Sequence, residues 1–125
     1  MHINLPNDVK EWIEIAESFL QETKPWEVEA EMNSGKVPVE IDAKHRQMAI
    51  DLGLSSMDMP KKIGGQELSN LQQVAVWEVL GQSTNALTWC FSEPQAWMLE
   101  ACNEEQIKKY ILPLMDGSRH ETYAI

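Results

Sequence analysis

The sequence predicts an all-α fold, an orthogonal or up-down bundle of about five helices with the start of a β-strand at the C-terminus. Apolar residues recur at intervals of three and four through most of the chain, which is the spacing of one helix face. Prolines and glycines separate these segments. A length of 125 residues suits a single domain with a single core. We therefore expect one helical domain over residues 1–120.

The first predicted helix covers residues 7–23, where one side is apolar and the other is charged. Asn7 and Asp8 suit its start, and Pro25 prevents its continuation. A second, short helix is expected over residues 26–32. The apolar stripe of the first helix consists of Val9, Trp12, Ile13, Ala16, Phe19 and Leu20.

A third helix is predicted after the turn NSGKVP, and Gly53 is a suitable terminator for it. Its apolar face consists of Ile41, His45, Met48, Ala49 and Leu52. No acid or nucleophile shares the face of His45 at helical spacing, so we expect a packed histidine and not a catalytic one.

The stretch MDMPKKIGGQEL, residues 57–68, predicts a shaped connector. Pro60 fixes its own φ and lacks an N–H donor, whereas Gly64 and Gly65 allow torsions that other residues resist. The two lysines before the glycines could cradle a phosphate, but a solvated turn explains them better, since a single glycine pair is common in loops.

Two central helices are expected next. Ser69 or Asn70 caps the segment LQQVAVWEVLGQS, which is apolar nearly all round and therefore belongs inside. The segment NALTWCFSEPQAWMLEAC is similarly apolar, and Pro94 must kink or interrupt it. Tryptophans are highly buried on average, so most of the five are expected in the core. They are Trp12, Trp26, Trp77, Trp89 and Trp97.

A final helix is predicted in CNEEQIKKYILPLMDG, which opens with Asn103 and Gln106 at the spacing of a capping box. Its expected buried face consists of Ile107, Tyr110, Ile111 and Leu114. The last residues, ETYAI, change to strand-favouring types. Because a lone strand is only marginally stable, we expect residues 121–125 to begin a further unit.

Charge and motifs exclude several function classes. A net charge of −10, from 10 basic and 20 acidic residues, argues against nucleic-acid and anionic-membrane partners. No apolar run reaches the about 18 residues of a membrane span. The HExxH, CxxC, GxSxG and GxxxxGK motifs are missing, so no metal site is expected. Cys90 and Cys102 lack metal-like spacing, which favours reduced thiols in an intracellular compartment.

Two passages carry a resemblance to a known family. DLGLSSMDMPKKIGGQELS resembles the acyl-CoA dehydrogenase segment in which a helix ends in Leu-Gly-Leu and continues through a proline into a Gly-Gly turn. NEEQIKKYILPLMDG is similar to the same family's pattern further along the N-terminal helical domain. Cys102 departs from the usual glycine, and Lys61 and Lys62 depart from the usual acidic pair. The resemblance implies that residues 121–125 open a truncated middle β domain.

The resemblance also implies a function. Enzymes of this family hold FAD and dehydrogenate an acyl-CoA thioester between Cα and Cβ, with a catalytic glutamate in the C-terminal bundle. We therefore assign no catalytic residue here and expect this chain alone to be inactive and to retain no FAD. Tyr123 and Ile125 are expected near the flavin in the full-length enzyme. An alternative is a non-catalytic helical interaction module derived from this domain.

Further expectations follow from the same resemblance. The partners are an acyl-CoA substrate, an electron-transfer flavoprotein or similar acceptor, and further copies of the full-length enzyme in a homo-oligomer. The location is the bacterial cytoplasm or the mitochondrial matrix.

The substrate-lining candidates come from the helix that lines the fatty-acyl channel in the family. By position they are Ala86, Trp89, Cys90 and Glu93. Plain core packing is an equally good interpretation of Trp89 and Cys90, since an apolar channel wall and a core are the same environment in a sequence. Glu93 precedes Pro94 and needs solvent or a partner, so it is also suited to a helix break.

Overall fold

The computed structural model describes residues 4–91 and 94–120, and this part of the chain is all-α without a strand, as predicted. The predicted strand start at residues 121–125 lies outside the described residues. The helices are α1 (Asn7–Thr23), α2 (Glu27–Met32), α3 (Val39–Asp51), α4 (Asn70–Leu80), α5 (Met98–Ala101), α6 (Glu104–Gln106), a π-helical turn (Ile107–Ile111) and α7 (Leu112–Met115).

The core lies between α1 and α4, which pack against each other. The Asp8 carboxylate accepts a hydrogen bond of 3.2 Å from the Gln72 side chain, which joins the first turns of the two helices. Beyond their last turns, Lys24 Nζ donates to the carbonyl of Gln82 at 3.2 Å. The two helices therefore run parallel. Residues buried between them and their neighbours include Ala16, Phe19, Val76, Val79 and Leu80.

The predicted helix ends are confirmed where glycine or a capping side chain defines them. Gly53 adopts the left-handed region at φ +76° directly after α3. Ser69 and Gln72 form a capping box at the start of α4, and Asn103 and Gln106 form another at α6. By contrast α1 begins after Pro6 without a side-chain cap, because Asn7 and Asp8 already lie inside the helix.

The connector between α3 and α4 has the predicted shape. Residues 61–63 form a single 3-10 turn, and Gly64 follows it at φ +95°. A Cβ on Gly65 would lie 2.0 Å from the carbonyl oxygen of Met59, a distance that no side chain tolerates. Gly64 is thus required for its backbone angle, and Gly65 is required for the close approach of two chain segments.

The prediction of two fully buried central helices is wrong in two respects. One side of α4 faces outward, with Leu71 50% and Val74 65% exposed. The next segment is no long helix, because it forms a 3-10 turn at residues 85–88 and the next described helix, α5, begins after Pro94. The expectation that most of the tryptophans lie in the core is also wrong, because Trp77, Trp89 and Trp97 are 39%, 61% and 64% exposed.

The last helical run contains a local change of helix type. The π-helical turn at residues 107–111 holds more residues than an α-helical turn, which rotates the following side chains. Ile111 is 2% exposed, as expected of the buried face, but Tyr110 is 48% exposed and the prediction for it is wrong. Ile107 and Leu114 are half-buried.

Candidate functional site

The structure brings three of the predicted substrate-lining residues together. Ala86, Trp89 and Cys90 form one wall of a cleft of about 320 Å³, and residues 35–46 form the opposite wall. The 3-10 turn at residues 85–88 makes this possible, because residues three apart in such a turn, such as Ala86 and Trp89, lie on the same side. Glu93, the fourth candidate, lies outside the described residues. The substrate role of all four stays a prediction.

Trp89 covers one end of the cleft. Its indole lies directly over Gly35, where a Cβ would approach Trp89 Cζ3 to 2.4 Å. Gly35 has φ +82°, so both its backbone angle and the indole favour a residue without a side chain. Trp89 is 61% exposed, so it is not a core residue. It lies at the surface and lines the cleft.

Cys90 belongs both to the core and to the cleft. It is 3% exposed, and its thiol donates to the carbonyl of Leu87 at 3.4 Å. Burial, the largest cause, raises the pKa of the Cys90 thiol to about 12. The group therefore stays protonated at neutral pH and serves the cleft as a small apolar surface, not as a nucleophile.

Arg46 ties the two walls of the cleft to each other. Its guanidinium donates to Asp42 Oδ2 at 2.9 Å and to the carbonyl of Cys90 at 3.2 Å. It also lies 3.0 Å from His120 Nδ1, which must accept because a guanidinium only donates. With these three acceptors around it, Arg46 supports the cleft structurally.

His45 lies in the wall formed by residues 35–46, and it is 2% exposed. Its ring meets Phe19 edge-on with 6.4 Å between centroids, so the predicted packing is confirmed. Among the described residues, however, its Nε2 has no hydrogen-bond partner. Desolvation by burial is the largest influence on the imidazole and lowers the pKa of His45, which keeps it neutral at neutral pH.

Sequence reasoning missed the wall formed by residues 35–46. It treated His45 as core and did not associate the loop before α3 with the segment after α4. Helical spacing identifies a face but not the element that packs against it, and a loop has no periodicity to follow. The available signal was the imidazole itself, since every other member of its stripe is an apolar side chain.

The cleft is not assigned to a flavin. Its volume of about 320 Å³ lies at the lower end of the range for ligand pockets. Tyr123 and Ile125, the predicted flavin neighbours, lie outside the described residues. Residues 4–91 and 94–120 also contain no cluster of three or more metal-ligating side chains and no helix long and apolar enough to cross a membrane.

Comparison with known proteins gives one match. The family model described as acyl-CoA dehydrogenase, N-terminal domain, matches residues 7–118, which is most of the chain. The comparisons with curated proteins and with solved structures found no significant match.

Proposed function

The chain belongs to the acyl-CoA dehydrogenase N-terminal domain family, and on that premise we propose that it is the N-terminal helical domain of an FAD-dependent enzyme that dehydrogenates acyl-CoA thioesters between Cα and Cβ. The observation that supports this proposal is the cleft, since three residues chosen for substrate lining meet on one of its walls. A largely apolar cleft with few polar groups is the usual form of a small-molecule site.

The role proposed for the cleft is to hold part of the acyl group away from water. Its apolar lining consists of Val37, Val39, Ala86, Leu87, Trp89 and Cys90. Each methylene group that leaves water for such a surface gains about 0.8 kcal/mol. The cleft thus contributes affinity and a limit on chain length, and the protonated Cys90 adds surface without reactivity.

The chemical steps are not assigned to the described residues. FAD would accept the hydride in a reaction of this class, and we do not assign the cleft to it. We propose that the flavin and the glutamate base belong to parts of the enzyme outside the residues 7–118 that match the N-terminal domain. The proposed partners are an acyl-CoA, an electron-transfer flavoprotein or similar acceptor, and further enzyme subunits.

The direct test is methyl NMR of the chain during titration with octanoyl-CoA, with free coenzyme A as the control. We expect signals from Val37, Val39, Ala86 and Leu87 to move with octanoyl-CoA and not with coenzyme A. Changes confined to other methyl groups, or none, would contradict a role of this cleft in acyl binding.

One observation favours the alternative, a non-catalytic interaction module. Leu71 and Val74 are exposed on α4 one turn apart, which is the type of apolar surface that protein interfaces cover. The octanoyl-CoA titration separates the two functions, because an interaction module has no reason to bind the acyl group in the cleft.

A further inference from the structure

Arg46 contacts more than the two walls of the cleft, because one of its three acceptors lies at the end of the domain. Its Nη1 atom lies 3.2 Å from the carbonyl oxygen of Cys90 and 3.0 Å from Nδ1 of His120, and its Nη2 atom lies 2.9 Å from Asp42 Oδ2. The two hydrogen atoms of Nη1 are thus shared between the cleft wall and His120. The family match ends at residue 118, so His120 lies just past the matched domain.

The segment of residues 117–120 packs along α3. Gly117 lies against Ile50, since a Cβ on Gly117 would approach Ile50 Cδ1 to 2.5 Å, and His120 lies against Arg46. Arg46 and Ile50 are four residues apart in α3 and therefore lie on the same side of the helix. The 117–120 segment thus contacts α3 at two points one helical turn apart.

The geometry of the guanidinium connects these contacts to the cleft. A guanidinium is planar, so the directions of its N–H bonds are fixed relative to one another. If the 117–120 segment leaves α3, one hydrogen atom of Arg46 Nη1 loses its acceptor. The Arg46 side chain is only 23% exposed, so this N–H group has to turn toward water to be satisfied. The same rotation moves the other hydrogen atom away from the Cys90 carbonyl, and this wall of the cleft loses its link to α3.

We infer that Arg46 couples the cleft to the 117–120 segment, so that acyl binding and the docking of this segment on α3 strengthen each other. This inference rests on the proposed function, since it concerns the regulation of acyl binding. An acyl group that needs the Cys90 wall in position binds more tightly while His120 is docked on Arg46. By linkage, the bound acyl group strengthens the docking of the segment by the same factor. Arg46 is therefore a positioning residue for the cleft.

The experiment is a double-mutant cycle on the 125-residue chain, with octanoyl-CoA as the probe and free coenzyme A as the control. Arg46→Lys keeps the positive charge but replaces the planar fork with a rotating ammonium group. His120→Ala removes the acceptor, whereas His120→Asn keeps an acceptor at the position of Nδ1. Ser118→Ala is the matched control in the same segment, since its hydroxyl donates to the carbonyl of Pro113 and not to Arg46. Calorimetry gives the dissociation constants, and circular dichroism confirms that each variant is folded.

We expect His120→Ala to weaken the binding of octanoyl-CoA about 2–10-fold, the range that one net hydrogen bond provides. In the Arg46→Lys background the same change should have little further effect, because the link is already broken. His120→Asn should retain part of the affinity, and Ser118→Ala should leave it near the wild-type value. Additive losses in the double variant, or equal losses in His120→Ala and Ser118→Ala, would overturn the inference while the proposed function stands.

Amide hydrogen exchange gives a readout on the wild-type chain that needs no variant. The Arg119 N–H group, which donates to the carbonyl of Pro113 at 3.0 Å, responds to opening of the 117–120 segment. Saturation with octanoyl-CoA should slow its exchange about 2–10-fold, since linkage makes the two effects equal. In Arg46→Lys the exchange should not respond. Unchanged exchange in the wild type, while the methyl signals of the cleft show bound octanoyl-CoA, would overturn this inference alone. Absence of octanoyl-CoA binding would overturn both.

Discussion

The core around α1 and α4 and the cleft beside α3 differ in how their side chains are packed and paired. On the side of α1 and α4, apolar side chains interlock and the helix starts are capped or joined by hydrogen bonds. On the side of the cleft, the chain uses a 3-10 turn, a left-handed glycine and an exposed tryptophan, and it leaves one imidazole nitrogen without a partner among the described residues. The core side therefore determines stability, and the cleft for which we propose a binding role lies on the other side.

The largest effect should come from the core side. Phe19 is 1% exposed and contacts Phe91 with 5.2 Å between ring centroids. Phe19→Ala should lower the free energy of unfolding by about 3–5 kcal/mol, because it removes buried surface and leaves a cavity. The matched change on the cleft side, Trp89→Ala, should cost only about 1 kcal/mol. Urea unfolding measures both, and equal losses would refute the division into two regions.

A smaller loss of stability is expected from substitution of Gly35. Comparison with a second glycine separates the cost of backbone strain from the cost of a clash with Trp89. Gly64 is the matched control, since it also has positive φ but no neighbouring atom within 4 Å of the place that a Cβ would occupy. Gly64→Ala should cost about 1 kcal/mol for its backbone angle alone. Gly35→Ala should cost more, because the new methyl group also displaces the Trp89 indole.

Tryptophan fluorescence and urea unfolding together test this difference. Gly35→Ala should change the emission of the wild-type chain but have little effect on the emission of Trp89→Ala. The excess cost of Gly35→Ala over Gly64→Ala should also disappear in the Trp89→Ala background. Equal costs for the two glycines would show that the indole does not lie on Gly35 in solution.

The pH dependence of stability sharpens the comparison at His45. Burial lowers the pKa of His45 in the folded chain below its ordinary value of 6.5. Between these two pKa values the unfolded chain binds more protons, so the free energy of unfolding falls as the pH drops below about 6.5. His45→Gln should lose part of this acid sensitivity. Above about pH 7.5 the difference between the two proteins should stay constant, because both keep the Cys90 thiol, whose raised pKa lowers the stability of both alike at alkaline pH. Identical profiles would show that His45 titrates normally.

The smallest effect concerns the acyl chain. In the full-length enzyme, Trp89→Ala should raise the activity on longer acyl-CoA substrates relative to shorter ones by about a few fold, because loss of the ring makes room for further methylene groups. The ratio of kcat/KM for decanoyl-CoA and hexanoyl-CoA measures this change. Trp97→Ala is the control, since Trp97 is equally exposed but does not border the cleft. An unchanged ratio in Trp89→Ala would remove Trp89 from the substrate path.

Local sequence chemistry predicted most of the helices because it acts over a few residues. The capping boxes at Ser69 and Asn103, the glycine after α3 and the break at Pro94 all depend on neighbours within one turn. The exposure of Val74 and Trp89 depends on which elements pack against them, and a local sequence pattern does not contain that information. The same reason applies to the cleft. The residues of one wall, Ala86, Trp89 and Cys90, lie in one segment and were named from the sequence, whereas the wall of residues 35–46 lies in a distant segment and was not.

The parallel course of α1 and α4 has a consequence for the time that the chain needs to fold. The two helices that share the core are not neighbours in the sequence, since α2, α3 and the glycine connector lie between them. When α1 and α4 dock, the connection between them must close into a loop before any surface is buried. The conformational entropy lost in this closure slows the docking step. The chain should therefore fold more slowly than an antiparallel helical hairpin of similar helix lengths, and its rate should respond more to changes in α1 or α4 than to changes around the cleft.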